Sequence, residues 1–211
     1  MAKAVVLPKS LLECWNKGVI LCVVQFGSSL YPKTPNDLDI AIVTKKGKFW
    51  QFLDTIKSDD FSKIDVSLIR EEEIGDWKNF KFGSYGVHHV LLAIKCGKAL
   101  IGENVFKNFP YPNKEKVRES VKERMEGYVY IARKSMFTKE LRKEVRERWE
   151  KFLVLSLYLL SDKFELTDVF KLSEAEATKL LEEKGINFSG KDIIKSYEIL
   201  WEKISQSYDS T

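Results

Sequence analysis

Residues 26–43 read FGSSLYPKTPNDLDIAIV, and this stretch decides what kind of chain it is. The apolar run VILCVVQF at 19–26 leads into Gly27 and two serines. A glycine where a strand gives way to a turn lets backbone approach a ligand with no side chain between them. Backbone N–H groups and a serine hydroxyl at such a turn can hold a phosphate. Ten residues after Gly27 come Asp37, Leu38 and Asp39, opening a second run in which Leu38, Ile40 and Ile42 alternate with other residues. Alternation of period two is a strand signal, and positions i and i+2 of a strand share a face at about 6–7 Å. Asp37 and Asp39 are therefore expected to project together. Asp37 also has a plainer reading as a turn residue after Pro35 and Asn36, because Asx side chains favour turns; that reading leaves Asp39 unexplained.

A third β-rich run lies at 64–69, IDVSLI, with Ile64, Val66 and Leu68 on one side and Asp65 and Ser67 on the other. A carboxylate inside an apolar strand is costly unless it is paired or bound to metal. Placing this strand beside the second supplies the reason, since three aspartates on adjacent strands suit two Mg²⁺ ions, which take carboxylate, water and phosphate oxygens.

A Gly-Ser turn, a spacer, Asp-x-Asp on a strand and a third aspartate on a later strand resemble the nucleotidyltransferase superfamily typified by DNA polymerase β. Gly27, Ser28, Asp37, Asp39 and Asp65 match its motif, and the run GKALIGENVF at 97–106 is similar to the segment that often closes the catalytic domain of minimal members. The resemblance spans about residues 8–107. With helices following, the layout is similar to aminoglycoside-modifying members. Two departures bear on the substrate subclass: no arginine or second glycine follows Gly-Ser, and Asn36 stands where serine often precedes the first aspartate. The resemblance implies a Mg²⁺-dependent, ATP- or other NTP-binding transferase. Asp37, Asp39 and Asp65 would be the catalytic and metal-binding residues, two Mg²⁺ ions the cofactors, and Gly27 and Ser28 the holders of the β and γ phosphates. The expected acceptor is a hydroxyl on a small molecule or a protein. An antitoxin-type protein that binds or nucleotidylates a partner protein, and an enzyme that extends nucleic-acid ends, remain the alternatives. The Arg-x4-His mark of the helical RNases that accompany minimal members is absent.

Outward from this core, the period changes. Up to about residue 105 short β-rich runs alternate with helical stretches, and beyond it no strand signal remains. Pro110 and Pro112 break any helix across the junction. Val117, Val121, Met125, Tyr128 and Ala132 then form one apolar stripe, and Leu141, Val145, Trp149, Phe152, Ser156 and Leu160 a second. Ser173 with Glu176 is a capping box, ending near Gly185, and 193–204 supplies a fourth helix. The reading is an α+β chain: a small mixed-sheet domain at 1–110 and a helical bundle at 111–211.

With 44% apolar and 31% charged residues among 211, the chain is expected to be globular, and its longest apolar runs fall far short of a membrane span. The first thirty residues do not read as a secretory signal, so a cytoplasmic protein with no membrane partner is expected. Twelve Lys/Arg against eight Glu at 114–150 leave +4, equal to the net charge of the whole chain. Their alternation at helical spacing reads chiefly as a solvated helix face. Cys14, Cys22 and Cys96 show no paired spacing and read as buried thiols. The adjacent histidines His88 and His89 read as structural or surface residues, and Glu71, Glu72 and Glu73 as a helix start, although they follow the third strand closely enough to approach the acids.

Overall fold

The computed structural model describes residues 7–30, 38–57, 61, 64–74, 88–110, 113–188, 190 and 192–209. Asp37 lies outside them, as does the side chain of Ser28. The backbone divides into two compact units, one of residues up to 74 with 90–110, the other of 88–89 with 113 onward. His88 and His89 group with the helical unit.

In the first unit, α1 (Lys9–Asn16) leads into β1 (Ile20–Gln25), a one-turn 3-10 helix at Gly27–Leu30, and β2 (Leu38–Thr44). After α2 (Phe49–Thr55) come β3 (Ile64–Arg70), α3 (Glu71–Ile74), α4 (His88–Lys95), whose first two residues group with the other unit, β4 (Lys98–Ile101) and a second 3-10 turn at Val105–Asn108. The sheet order is β3-β2-β1-β4, with β1 antiparallel to both β2 and β4, and β2 parallel to β3. The fold is thus α+β with a mixed sheet. The alternation read in β2 and β3 is the one observed: Leu38, Ile40, Ile42, Ile64, Val66 and Leu68 join the core made with Leu11 and Cys14 of α1 and Phe52 of α2. The strand β4 was not expected. Its four residues, KALI, are too few for a periodic signal, and pairing with β1 makes them a strand.

In the second unit, α5 (Lys114–Lys134), α6 (Leu141–Leu160), α7 (Leu166–Val169), α8 (Glu174–Glu183) and α9 (Ile193–Asp209) follow, with α6 packed against each of the other four. Residues 152–159 of α6 are all buried, as befits a helix covered on every side. The capping box is present: Ser173 Oγ accepts from Glu176 N, and the Glu176 carboxylate accepts from Ser173 N at 2.8 Å. Where α6 ends, Arg118 of α5 donates to the carbonyls of Tyr158 (3.2 Å) and Leu159 (2.5 Å), satisfying acceptors that no intrahelical donor reaches. Phe152 packs on Trp149, Tyr128 and Tyr197, and Tyr197 donates its hydroxyl to the Val145 carbonyl at 3.0 Å. These rings form core, as their spacing implied.

The charged stretch at 114–150 is largely a solvated surface, with pairs such as Arg148–Glu144 (2.6 Å) and Lys143–Glu147 (3.6 Å) one turn apart. His89 is buried, its Nδ1 2.5 Å from Ser120 Oγ; burial first, then the charges of Arg124, Lys151 and His88, push its pKa down to about 3. One expectation is corrected. Cys14 and Cys22 are buried, and burial pushes both thiols up, but Cys96 is exposed because it follows the last residue of α4 in the turn toward β4. No helix among the described residues is long and apolar enough to cross a membrane.

Candidate functional site

The sheet builds the site from two directions. β2 and β3 run parallel in a register that sets Asp39 beside Asp65. In-register residues of a parallel pair share a face, with strands about 4.8 Å apart, so both carboxylates leave the same surface side by side. That surface is the one opposite α1 and α2. Along β2 it grades from Asp39, partly exposed, to Ala41 and Val43, fully buried; along β3, from exposed Asp65 to buried Ile69. The acids therefore occupy the open end of a face that closes behind them, where they are hydrated without losing a low-dielectric wall.

The second direction is the turn after β1. Phe26 N donates to the Asp39 carbonyl at 3.1 Å, which carries the β1–β2 ladder one step beyond Gln25 and brings Gly27 against Asp39. Gly27 has φ +68°, a left-handed conformation that side chains resist. A Cβ added there would lie 3.1 Å from Asp39 Oδ2 and 3.6 Å from its Cγ. The carboxylate thus crowds the space a side chain would occupy, so both the backbone conformation and this contact favour glycine here.

Two residues that the sequence reading did not single out fix the turn. Ser29 Oγ donates to the Phe26 carbonyl at 2.7 Å and lies 3.5 Å from the Asp39 carbonyl. Gln25, only 8% exposed, donates through Nε2 to the Ser29 carbonyl at 2.6 Å. A signal for each was available. A serine bonding back three residues is a recurrent turn device, and a lone amide ending an apolar strand needs a buried partner.

Glu71, Glu72 and Glu73 are excluded from this site. They begin α3 at the far end of β3, six residues from Asp65, or about 20 Å along an extended strand. There Glu71 accepts from Lys46 N and Glu73 from Arg70 N, each at 2.8 Å. His88 and His89 belong to the other unit.

Among the described residues no three His, Cys, Asp or Glu side chains group closely enough to hold a metal. The described pair, Asp39 with Asp65, nonetheless suits a hard cation: two carboxylates on one face, at the open end, against backbone stripped of side chain. Asp37, two residues before Asp39, falls outside the described residues. The chain matches no known protein-family model, and no curated protein matches it.

Proposed function

We propose that this protein is a metal-dependent nucleotidyltransferase, moving a nucleoside monophosphate from an NTP to an acceptor hydroxyl with release of pyrophosphate. The observation that carries the reading is the meeting of three features at one point: the side-chain-free turn at Gly27, Asp39 against it, and Asp65 in register beside Asp39. Separately, each occurs in many folds.

Asp39, Asp65 and, by its place in the sequence, Asp37 are the residues that would hold Mg²⁺, which when bound neutralises charge on a transferring phosphoryl group. The chain's own groups have distinct tasks. At the turn, Gly27 leaves room for triphosphate oxygens, and the first N–H groups of the 3-10 turn have no intrahelical acceptor and can bond them. Ser28 would add its hydroxyl there. Ser29 and Gln25 hold the turn in one shape, so the donors are ordered before the substrate arrives. Asp65, the more exposed acid, is suited to take the proton of the incoming hydroxyl.

A small molecule or a protein is the acceptor class we favour, because even in the chain's basic stretch the cations are interleaved with acids, Lys116, Lys122 and Arg124 with Glu115, Glu119 and Glu123, which leaves no continuous basic run for a nucleic acid. The test is incubation with each labelled nucleoside triphosphate and Mg²⁺, followed by separation of protein, small molecules and nucleic acid. Label should move to one fraction with wild type and to none with Asp39→Ala. Hydrolysis or transfer that survives Asp39→Ala unchanged would sink the assignment.

A further inference from the structure

Among the described residues the most exposed large apolar side chain is Phe137, in the connection between α5 and α6. Six residues, 135–140, join α5 to α6, and there Met136 and Phe137 are 60% and 89% exposed. They are carried on an ordered turn. Met136 N donates to the Arg133 carbonyl, and Phe137 N and Thr138 N both donate to Lys134 O, at 3.0–3.1 Å. Tyr130, 65% exposed, lies in the last two turns of α5, seven residues before Phe137 in sequence. Single exposed apolar residues need no explanation, but three within eight positions do.

Cations surround them. Residues 133–143 hold Arg133, Lys134, Lys139, Arg142 and Lys143 against Glu140 alone. Arg133 is engaged by Glu198 through two bonds of 2.7 and 2.8 Å, and Lys143 by Glu147. Lys134, Lys139 and Arg142 are exposed and make no ion pair with any described residue.

We propose that this apex docks onto an anionic lipid bilayer, with Phe137 and Met136 entering the acyl boundary and Lys134, Lys139 and Arg142 meeting phosphate headgroups. The charge sets the sign of the partner. The pairing of residue types sets its kind, because two adjacent exposed apolar side chains among cations can enter the acyl boundary while the charges stay at the headgroups. Exposed Tyr130 near the end of α5 adds a residue type that favours the membrane interface. This is attachment to a surface and involves no span. The expectation of no membrane partner rests on the short apolar runs and on the lack of a secretory signal, and neither bears on attachment to a surface. The inference is independent of the transferase reading.

The experiment is co-sedimentation of the full chain with vesicles of phosphatidylcholine alone or mixed with phosphatidylglycerol. Wild type should pellet with the mixed vesicles only. Phe137→Ser should weaken partitioning about tenfold, since a buried phenyl is lost. Neutralising Lys134, Lys139 and Arg142 together should weaken it about a hundredfold, at roughly fivefold per cation. Trp50→Ser, which removes a 73% exposed ring of the first unit, should change nothing. Circular dichroism confirms that each variant folds. Failure to pellet with the mixed vesicles, pelleting insensitive to Phe137→Ser, or preferential capture of a competing single-stranded RNA would each overturn the proposal.

Discussion

Replacing Gly27 by alanine should damage the site in a way that a matched glycine elsewhere isolates. Gly27 and Gly47 have nearly the same backbone, φ +68° and +71°, and both belong to the first unit. A Cβ on Gly47 would meet nothing within 4 Å, whereas one on Gly27 meets Asp39 Oδ2 at 3.1 Å. Alanine in the left-handed region costs roughly 1–2 kcal/mol, offset in part by a stiffer unfolded chain. Gly47→Ala should therefore lose about 1 kcal/mol. Gly27→Ala bears the same strain and must also push the carboxylate off its preferred rotamer, adding about 0.5–1.5 kcal/mol. Urea denaturation of the two variants reads this difference directly, because the backbone terms cancel. Transfer should separate them further: a carboxylate displaced by a fraction of an ångström lowers the rate by about ten- to a hundredfold, and Gly47→Ala should stay near wild type. Equal stability losses, together with wild-type transfer by Gly27→Ala, would refute the contact between turn and carboxylate as the organising feature of the site.

Three further outcomes are expected. Asp39→Ala should abolish transfer while leaving the free protein as stable as wild type or slightly more so, since neighbouring carboxylates repel; thermal melts should show that Mg²⁺ plus nucleotide stabilises wild type more than the mutant. Stability should fall in mild acid through His89, whose pKa drops from 6.5 to about 3 on folding, so the unfolded chain binds a proton that the native one refuses. That contribution is intact above pH 6.5 and is lost as pH falls toward 3: about 1.4 kcal/mol between pH 7.5 and 5.5, read by urea titration and absent in His89→Asn. Ser173→Ala removes one half of the α8 capping box and should lower the urea stability of the helical unit by about 1 kcal/mol.

Much of the fold was legible because a few positions carry unambiguous chemistry. Period-two alternation with acids on the minority face read β2 and β3 correctly, since an aspartate cannot share the face of Leu38 and Ile64 without a large desolvation cost. Stripes at helical spacing and the Ser173–Glu176 pair located four of the bundle helices, although the last, read as 193–204, runs on to Asp209. Short elements escaped, namely β4 and the single turn α7, because four residues hold no period and only tertiary partners determine them. Cys96 misled for a related reason: apolar neighbours in sequence predict burial only where the element continues, and α4 stops at Lys95. At the site, residue types alone pointed to Asp39 and Asp65. The support from Ser29 and Gln25 was not read, because each acts through a backbone carbonyl whose position depends on the folded turn.

The sheet order has a practical consequence for anyone purifying variants. β3 stands at one end of the described strands, and its run IDVSLI is rich in β-branched and apolar residues, with Asp65 its one charge before Arg70. An outer strand of that composition invites edge-to-edge pairing between molecules, and a charge in its midst is a standard deterrent. Among the described strands, Asp65 is thus the one charge within that run that opposes such pairing. Neutralising it would leave six uncharged residues with high β-propensity on a lateral edge, and an aggregated preparation would be mistaken for an inactive one. Asp39, on the interior strand β2, carries no such duty, and inactivating changes are better made there.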